Sequence, residues 1–330
     1  MNINIKPLVY YRISNKNPGY TVQTASQLTK QKQKLDQQRM ILESCLLNTY
    51  DLASIIFNAL SQRQGFSFIR LGDSELLVLA QDTVFPTSTD ISKWGDLLAI
   101  LCCDPDLGQG DNEVSRWEYI VKVSGNQFPD KTAQEYLIKA VLSATVLGIP
   151  SAYRPGRSLE HVKLLKGFQT VFMNILQKLS IPFESLRLTD SAQHHMLHAN
   201  GWFRRLLLPH QYPGINQLFG LPAGYQPRIL LVGNLSLPFA EMLKNEGCDV
   251  TASIQPVGMY NIEQVLSEIQ KYSFDLALVS AGTAAKYICT SIARGMGKVA
   301  LDTGQLLDVL LFEYGHLNNQ NFKIPFFSFM

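Results

Sequence analysis

FDLALVSAGTAAKYICTSIARGMGKVALDTGQLLDVL, residues 274–310, is the stretch whose reading decides the fold. It opens on an apolar run, Phe274–Ser280, with no alternation, which is how a strand buried on both faces reads. A turn with Gly282 follows, then Thr283–Arg294 at helical spacing, stopped by Gly295 and Gly297. Lys298–Leu301 is a second short strand, Asp302-Thr303-Gly304 a turn, and Gln305–Phe312 a helix. Strands without a polar face, alternating with helices, require a parallel sheet covered on both sides.

The same rhythm runs upstream. Arg228–Gly233 (RILLVG) reads as a buried strand, Leu237–Asn245 as a helix ending at Gly247, Asp249–Ile254 as a strand and Ile262–Lys271 as a helix. The expected fold is α/β, a Rossmann-like parallel sheet with helices on both faces and an N-terminal helical extension. Pro209–Pro227 is rich in proline and glycine, which predicts a loop where two halves meet. Ile41–Leu60 has helical periodicity, Phe66–Leu71 is a strand between Gly65 and Gly72, and Ser74–Gln81 is helical again. Between these regions, 112–123 and 130–147 read as helices and Leu147–Tyr153 as a short strand. His161–Leu179 reads as an amphipathic helix, Arg187–Asp190 as a strand and Ala192–Leu208 as a helix. Residues 21–39 are rich in Gln and Lys and read as a linker or a solvated helix. The expected organisation is an extension over 1–40 and one catalytic domain over 41–330.

Bulk properties narrow the function. The 330 residues are 46% hydrophobic and 17% charged, so a large core is available and wholesale disorder is excluded. A net charge of +2 is too balanced for gripping nucleic acid by charge alone. The five cysteines, Cys45, Cys102, Cys103, Cys248 and Cys289, are scattered with no C-x-x-C pair, the pattern of reduced thiols. Neither a signal-peptide-like apolar run at the start nor a stretch of about 20 apolar residues is present. The expected location is the cytoplasm, with no transmembrane segment.

Ligands of open parallel sheets bind outside the carboxyl ends of the strands. Those ends hold Arg70 to Glu75, Gly233-Asn234, Ala281-Gly282-Thr283 and Asp302-Thr303-Gly304. Gly233, Gly282 and Gly304 lie in turns where backbone N–H groups at a helix start can meet an anion. Asp73 and Glu75, two residues apart after Gly72, can converge on one hard cation that bridges a diphosphate. Arg70 carries a planar fork suited to phosphate. The same two carboxylates can equally cap the helix that follows and lie against its positive end. Asp302 can orient a ribose, act as base on an acceptor hydroxyl, or cap the helix at Gln305.

The run FSFIRLGDSELLVLA (66–80) resembles the R-x-G-D-G-E segment of the GT-D fold glycosyltransferases, a family of bacterial glycan assembly. The stretch 274–310 is similar to that family's C-terminal signature: a strand ending in a glycine turn, a helix, a G-K-V strand and a D-x-G turn. The resemblance implies a hexosyltransferase-like enzyme that takes a nucleotide sugar, typically UDP-linked, with Mn²⁺ or Mg²⁺ on Asp73 and Glu75. It further implies donor contacts from Arg70, Gly72, Gly233, Asn234, Gly282, Thr283 and Gly304, and a glycan, glycoprotein or lipid-linked acceptor. An oligomer is compatible with it. Ser74 replaces the usual glycine, and Gln305 stands where the family often has histidine.

Three other features bear on function. His194 and His198 share a helix face at a spacing that can bind zinc, yet H-E-x-x-H is absent; one of His194, His195 and His198 lining an acceptor pocket, or a surface face, are the other readings. Arg154 and Arg157 fall on a strand-end loop and can contact diphosphate. Finally, ILLVGNLSLPFAEMLKNEGCDVTASI has the rhythm of an S-adenosylmethionine-dependent methyltransferase, but Asn234-Leu235-Ser236 replaces its glycine-rich loop. A non-catalytic nucleotide-sugar-binding protein is the remaining alternative.

Overall fold

The computed structural model describes residues 11–14, 17–22, 25–81, 129–152 and 158–313. The expected helix over 112–123, Cys102 and Cys103, and the Arg154–Arg157 loop lie outside them. In chain order the elements are β1 (Tyr11–Ser14), β2 (Asn17–Val22), α1 (Ala25–Ser44), α2 (Thr49–Ser61), β3 (Phe66–Arg70), α3 (Asp73–Ala80), α4 (Lys131–Ser143), β4 (Val146–Ile149), α5 (Leu159–Lys178) and β5 (Leu188–Asp190). There follow α6 (Gln193–Ala199), α7 (Trp202–Leu207), α8 (Pro213–Leu218), β6 (Ile229–Gly233), α9 (Ser236–Asn245), β7 (Val250–Ile254), α10 (Ile262–Ile269), β8 (Leu276–Ser280), α11 (Ala284–Met296), β9 (Val299–Asp302) and α12 (Leu306–Glu313).

The chain divides into two compact units. The first contains the antiparallel β1–β2 hairpin and the helices α1 and α5, which pack together. Arg39 is buried and donates from Nε and Nη2 to Thr170 Oγ1, at 3.1 and 2.6 Å, while Glu43 accepts from Ser151 Oγ and from Gln169. A buried arginine and a threonine thus tie the two helices together, beside buried apolar residues of α5 such as Phe168 and Phe172.

The second unit holds the sheet. Its seven strands are all parallel, in the order β5-β4-β3-β9-β8-β6-β7. The central strands are buried on both faces, as their unbroken apolar sequences demand: β4, β6 and β9 have no exposed residue. On one face α11 packs over β3, β8 and β9 and against α4. On the other, α2, α9 and α12 close a core that includes Phe57, Phe66, Phe239, Leu278 and Leu310. β3 leads into α3, which meets α4 through the Gln134–Leu79 hydrogen bond, whereas β9 leads into α12, which packs against α9. The helices after these two neighbouring strands therefore leave for opposite faces, which makes the β3/β9 boundary the switch point of the sheet.

Three expectations need correction. The periodic run 41–60 is two helices, because Leu47 forms a parallel bridge with Thr189 and Asn48 caps α2 by accepting from Asp51 N. The helix expected over 192–208 breaks at Gly201, whose φ of +69° is left-handed and ends the turn. Pro209–Pro227 is not loop throughout: it lies within the second unit, with Phe219 and Leu221 in the core. Pro209 and Pro213 open short helices there, positions where the missing N–H costs nothing.

Candidate functional site

The carboxyl ends of β3 and β9 bring Arg70 and Asp302 together across the switch point. Phe68 is in register with Leu301, so the next residues of each strand face each other where the pairing ends. Asp302 is fully buried. Its Oδ2 accepts from Arg70 N at 3.2 Å and lies 3.1 Å from Lys286 Nζ; its Oδ1 accepts from Gly304 N at 3.1 Å and is 3.5 Å from Arg70 Nη2. Burial works to raise its pKa, but the charges of Lys286 and Arg70 outweigh that and hold it below the usual carboxylate range. A carboxylate so enclosed is an anchor in this arrangement, tied to Arg70, Lys286 and Gly304.

Glu75 is the third residue of α3 when Gly72 is taken as the cap, and it folds back. Its Oε2 accepts from Gly72 N at 2.9 Å, the reciprocal half of a capping box. Its Oε1 sits 3.0 Å from Lys286 Nζ and 3.5 Å from Thr283 Oγ1. Asp73 Oδ1 accepts from Ser74 N at 2.9 Å.

Lys286, missed as a site residue in the sequence, is 3% exposed and joins the two carboxylates; its Nζ also donates to Gly282 O at 3.0 Å. Burial lowers its pKa, yet Asp302 and Glu75 together bring it above the ordinary lysine value. The signal was available: Lys286 lies on the buried face of α11 with Ala285, Ile288, Cys289 and Ile292, where a cation survives only beside an anion.

Arg70 completes the cluster. Its Nη1 reaches Ser191 O at 3.3 Å and His194 Nε2 at 2.9 Å, and its buried Nε has no hydrogen-bond partner. Burial, with Arg70, His195 and Lys286 nearby, drives the His194 pKa well below its ordinary value, so the ring is neutral. An arginine only donates, so the geometry fits a tautomer in which Nδ1–H donates to Ser191 O at 3.1 Å and Nε2 accepts from Arg70. His194 thus supports Arg70, the role neither zinc nor a surface face describes.

The glycine turns divide by what they permit. A Cβ at Gly304 would stand 1.6 Å from Arg70 Nη2, and one at Gly233 would stand 2.2 Å from Ser280 O. Both glycines make room for the protein's own atoms. Gly282, at φ +53°, precedes α11, whose 13 residues aim their N-terminus at the cluster. Asn234 is committed elsewhere, its Oδ1 accepting from Val257 N at 2.9 Å. Asp308 follows in the first turn of α12, and burial raises its pKa to about 6.

A divalent ion between Asp73 and Glu75 needs carboxylate oxygens turned to one point. Both oxygens of Glu75 are held by donors of the chain, and an ammonium already bridges Glu75 to Asp302. In this arrangement the donor set does not fit Mn²⁺ or Mg²⁺. Among the described residues no group of three or more His, Cys, Asp or Glu is placed to hold a metal ion.

A doubly wound parallel sheet with a charged cluster at its switch point defines a Rossmann-like α/β protein. The model of the GT-D fold-like domain matches residues 47–310, and the chain belongs to that family, a glycosyltransferase fold. No protein of curated function matches it. Among solved structures it is similar to one described as showing that the highly conserved domain of unknown function 1792 has a distinct glycosyltransferase fold. That likeness has 12% identity over 88% of this chain and 91% of the other, with a TM-score of 0.49. It is also similar to a glycosyltransferase (DUF1792) from Streptococcus sanguinis, 15% identical over 82% of this chain and 85% of the other, with a TM-score of 0.38. Both likenesses are distant, and membership rests on the family match. Among the described residues no helix is long and apolar enough to cross a membrane.

Proposed function

We propose that the protein transfers a sugar, of hexose type, from a nucleotide-sugar donor, UDP-linked as the resemblance implies, to an acceptor hydroxyl on a glycan, glycoprotein or lipid-linked carrier. The observation that carries this reading is Arg70. Its guanidinium stands at the switch point, 16% exposed, with one Nε–H unused, beside the N-terminus of α11. A guanidinium beside a helix N-terminus is the kind of receptor a diphosphate fits.

In this reading the acceptor oxygen attacks the anomeric carbon and a new C–O bond forms. The bond from that carbon to the diphosphate oxygen breaks, its electron pair leaves with the diphosphate, and the hydroxyl proton passes to solvent water. Arg70 and the start of α11 stabilise the charge that builds on the leaving diphosphate. His194, neutral, keeps Arg70 in place, and Asp302 fixes it from the other side. No step is assigned to a metal, because the carboxylates do not fit one as arranged.

Thermal shift tests the reading. Nucleoside diphosphates and UDP-sugars are expected to stabilise the protein by mass action, and S-adenosylmethionine to leave it unchanged. Stabilisation by S-adenosylmethionine alone would install the methyltransferase instead. Binding without turnover in a hydrolysis screen of nucleotide sugars would leave a binding protein.

A further inference from the structure

We propose that Lys286 is the resident cation of this site: its ammonium holds Glu75 and Asp302 together as a divalent ion would, and the chain binds its nucleoside diphosphate without metal. The proposal rests on the nucleotide-sugar reading above and adds to it the source of positive charge.

The geometry is that of a coordinated ion. An ammonium has three N–H donors, and the three acceptors of Lys286 are Glu75 Oε1 at 3.0 Å, Asp302 Oδ2 at 3.1 Å and Gly282 O at 3.0 Å. The acceptors come from α3, from β9 and from the turn before α11, so one ammonium joins three separate segments of the site. Lys286 is 3% exposed, Glu75 is 6% exposed and Asp302 is 0% exposed, which keeps the contacts out of water.

Charge balance points the same way. Glu75 and Asp302 supply two negative charges, and Lys286 and Arg70 supply two positive ones. With Asp73 counted as a third carboxylate, a dication added between Asp73 and Glu75 would still leave the cluster net positive, and it would sit against Lys286. The oxygens it needs are also taken, since Glu75 Oε2 is bound to Gly72 N. With Lys286 saturated, the positive groups of the described cluster left to meet a diphosphate are Arg70 and the N-terminus of α11.

The test compares wild-type protein, Lys286→Met and Lys286→Arg by thermal shift with Mn²⁺ alone, with EDTA, and with a panel of nucleoside diphosphates under each condition. Wild type is expected to melt at the same temperature with Mn²⁺ or EDTA, and to be stabilised equally by the preferred diphosphate in both. Lys286→Met, which leaves two buried carboxylates facing each other, should melt lower in EDTA and recover on adding Mn²⁺ alone. Lys286→Arg should keep diphosphate binding in EDTA. Stabilisation of wild type by Mn²⁺ alone, or diphosphate binding that requires Mn²⁺, would overturn the role given to Lys286 and leave the transferase reading standing. No binding of any nucleoside diphosphate under either condition would remove that reading and this proposal with it. Should Lys286→Met not fold, the two wild-type measurements decide.

Discussion

Two arginine–carboxylate pairs sit at opposite ends of the same sheet and are built differently. At the amino ends, Arg228 and Asp275 precede β6 and β8. Nε and Nη2 of the arginine meet the two carboxylate oxygens at 3.0 and 2.9 Å, its backbone N donates to the same carboxylate at 3.1 Å, and Nη1 reaches Ser273 Oγ at 2.8 Å. At the carboxyl ends, the Arg70 side chain meets Asp302 through Nη2 alone at 3.5 Å, and its Nε is unpartnered. The well-bonded pair is the more exposed one, at 42% and 26%, while the slack pair is the less exposed, at 16% and 0%. Stability alone would favour the reverse, because exposed pairs contribute little and buried ones must be well bonded to offset desolvation. The Arg70 Nε has no hydrogen-bond partner, whereas each of the three Arg228 guanidinium nitrogens has one.

The sharpest break of this contrast is Asp302→Ala. It strands Lys286 and Arg70 with only Glu75 to balance them, and the expected loss is about 3–5 kcal/mol of unfolding free energy in urea titration. A loss under about 1 kcal/mol would put the two pairs on a par. Next come two glycines at opposite ends. Gly233→Ala drives a Cβ to 2.2 Å from the Ser280 carbonyl at φ +149°, and should cost about 2–3 kcal/mol. Gly247→Ala, before β7 at φ +89° with nothing within 4 Å, should cost about 1 kcal/mol from backbone strain alone. Equal losses would show that crowding at the carboxyl ends adds nothing.

Acidification should move the two ends in opposite senses. Burial raises the folded pKa of Asp308 to about 6, so the fold binds that proton more tightly than the unfolded chain does. Stability is therefore gained as pH falls through 6, by about 1 kcal/mol between about pH 7 and pH 5, and Asp308→Asn should abolish the gain. Asp275 is the other case. Burial opposes ionisation there, but the Arg228 hydrogen bonds prevail and lower its pKa, so its contribution is present above the unfolded value and is lost only as pH falls below it. Asp275→Asn carries the smallest effect, about 0.2–1 kcal/mol in the same titration. A larger loss would mean that the exposed pair is more than a clasp.

Continuous apolar strands and glycine stops made the second unit legible, and its strands fall within two or so residues of their expected bounds, except β4, which ends at Ile149 rather than Tyr153. The gathering of Arg70, Glu75, Gly282, Asp302 and Gly304 at one end was legible as well, since strand ends and the ligand rule fix it. What those side chains do there was not. Whether Glu75 faces a metal or folds back on Gly72 depends on Lys286, 211 positions along the chain, and periodicity carries no information about such pairs. The Arg70–His194 contact is invisible for the same reason. Breaks at 45–48 and at Gly201 escaped because apolar spacing continues across them.

The placement of β9 also governs how the chain comes together. It lies between β3 and β8, joining the β5-β4-β3 strands to the β8-β6-β7 strands, although it is the last strand of the described chain. During synthesis each set can pair internally while the edge of β3 waits with unmet N–H and C=O groups. The sheet closes only when residues 299–302 leave the ribosome. Such late, long-range pairing slows folding and leaves two open edges exposed in the meantime. A nascent chain halted before residue 299 would hold Arg70 without Asp302, and is the species most exposed to aggregation.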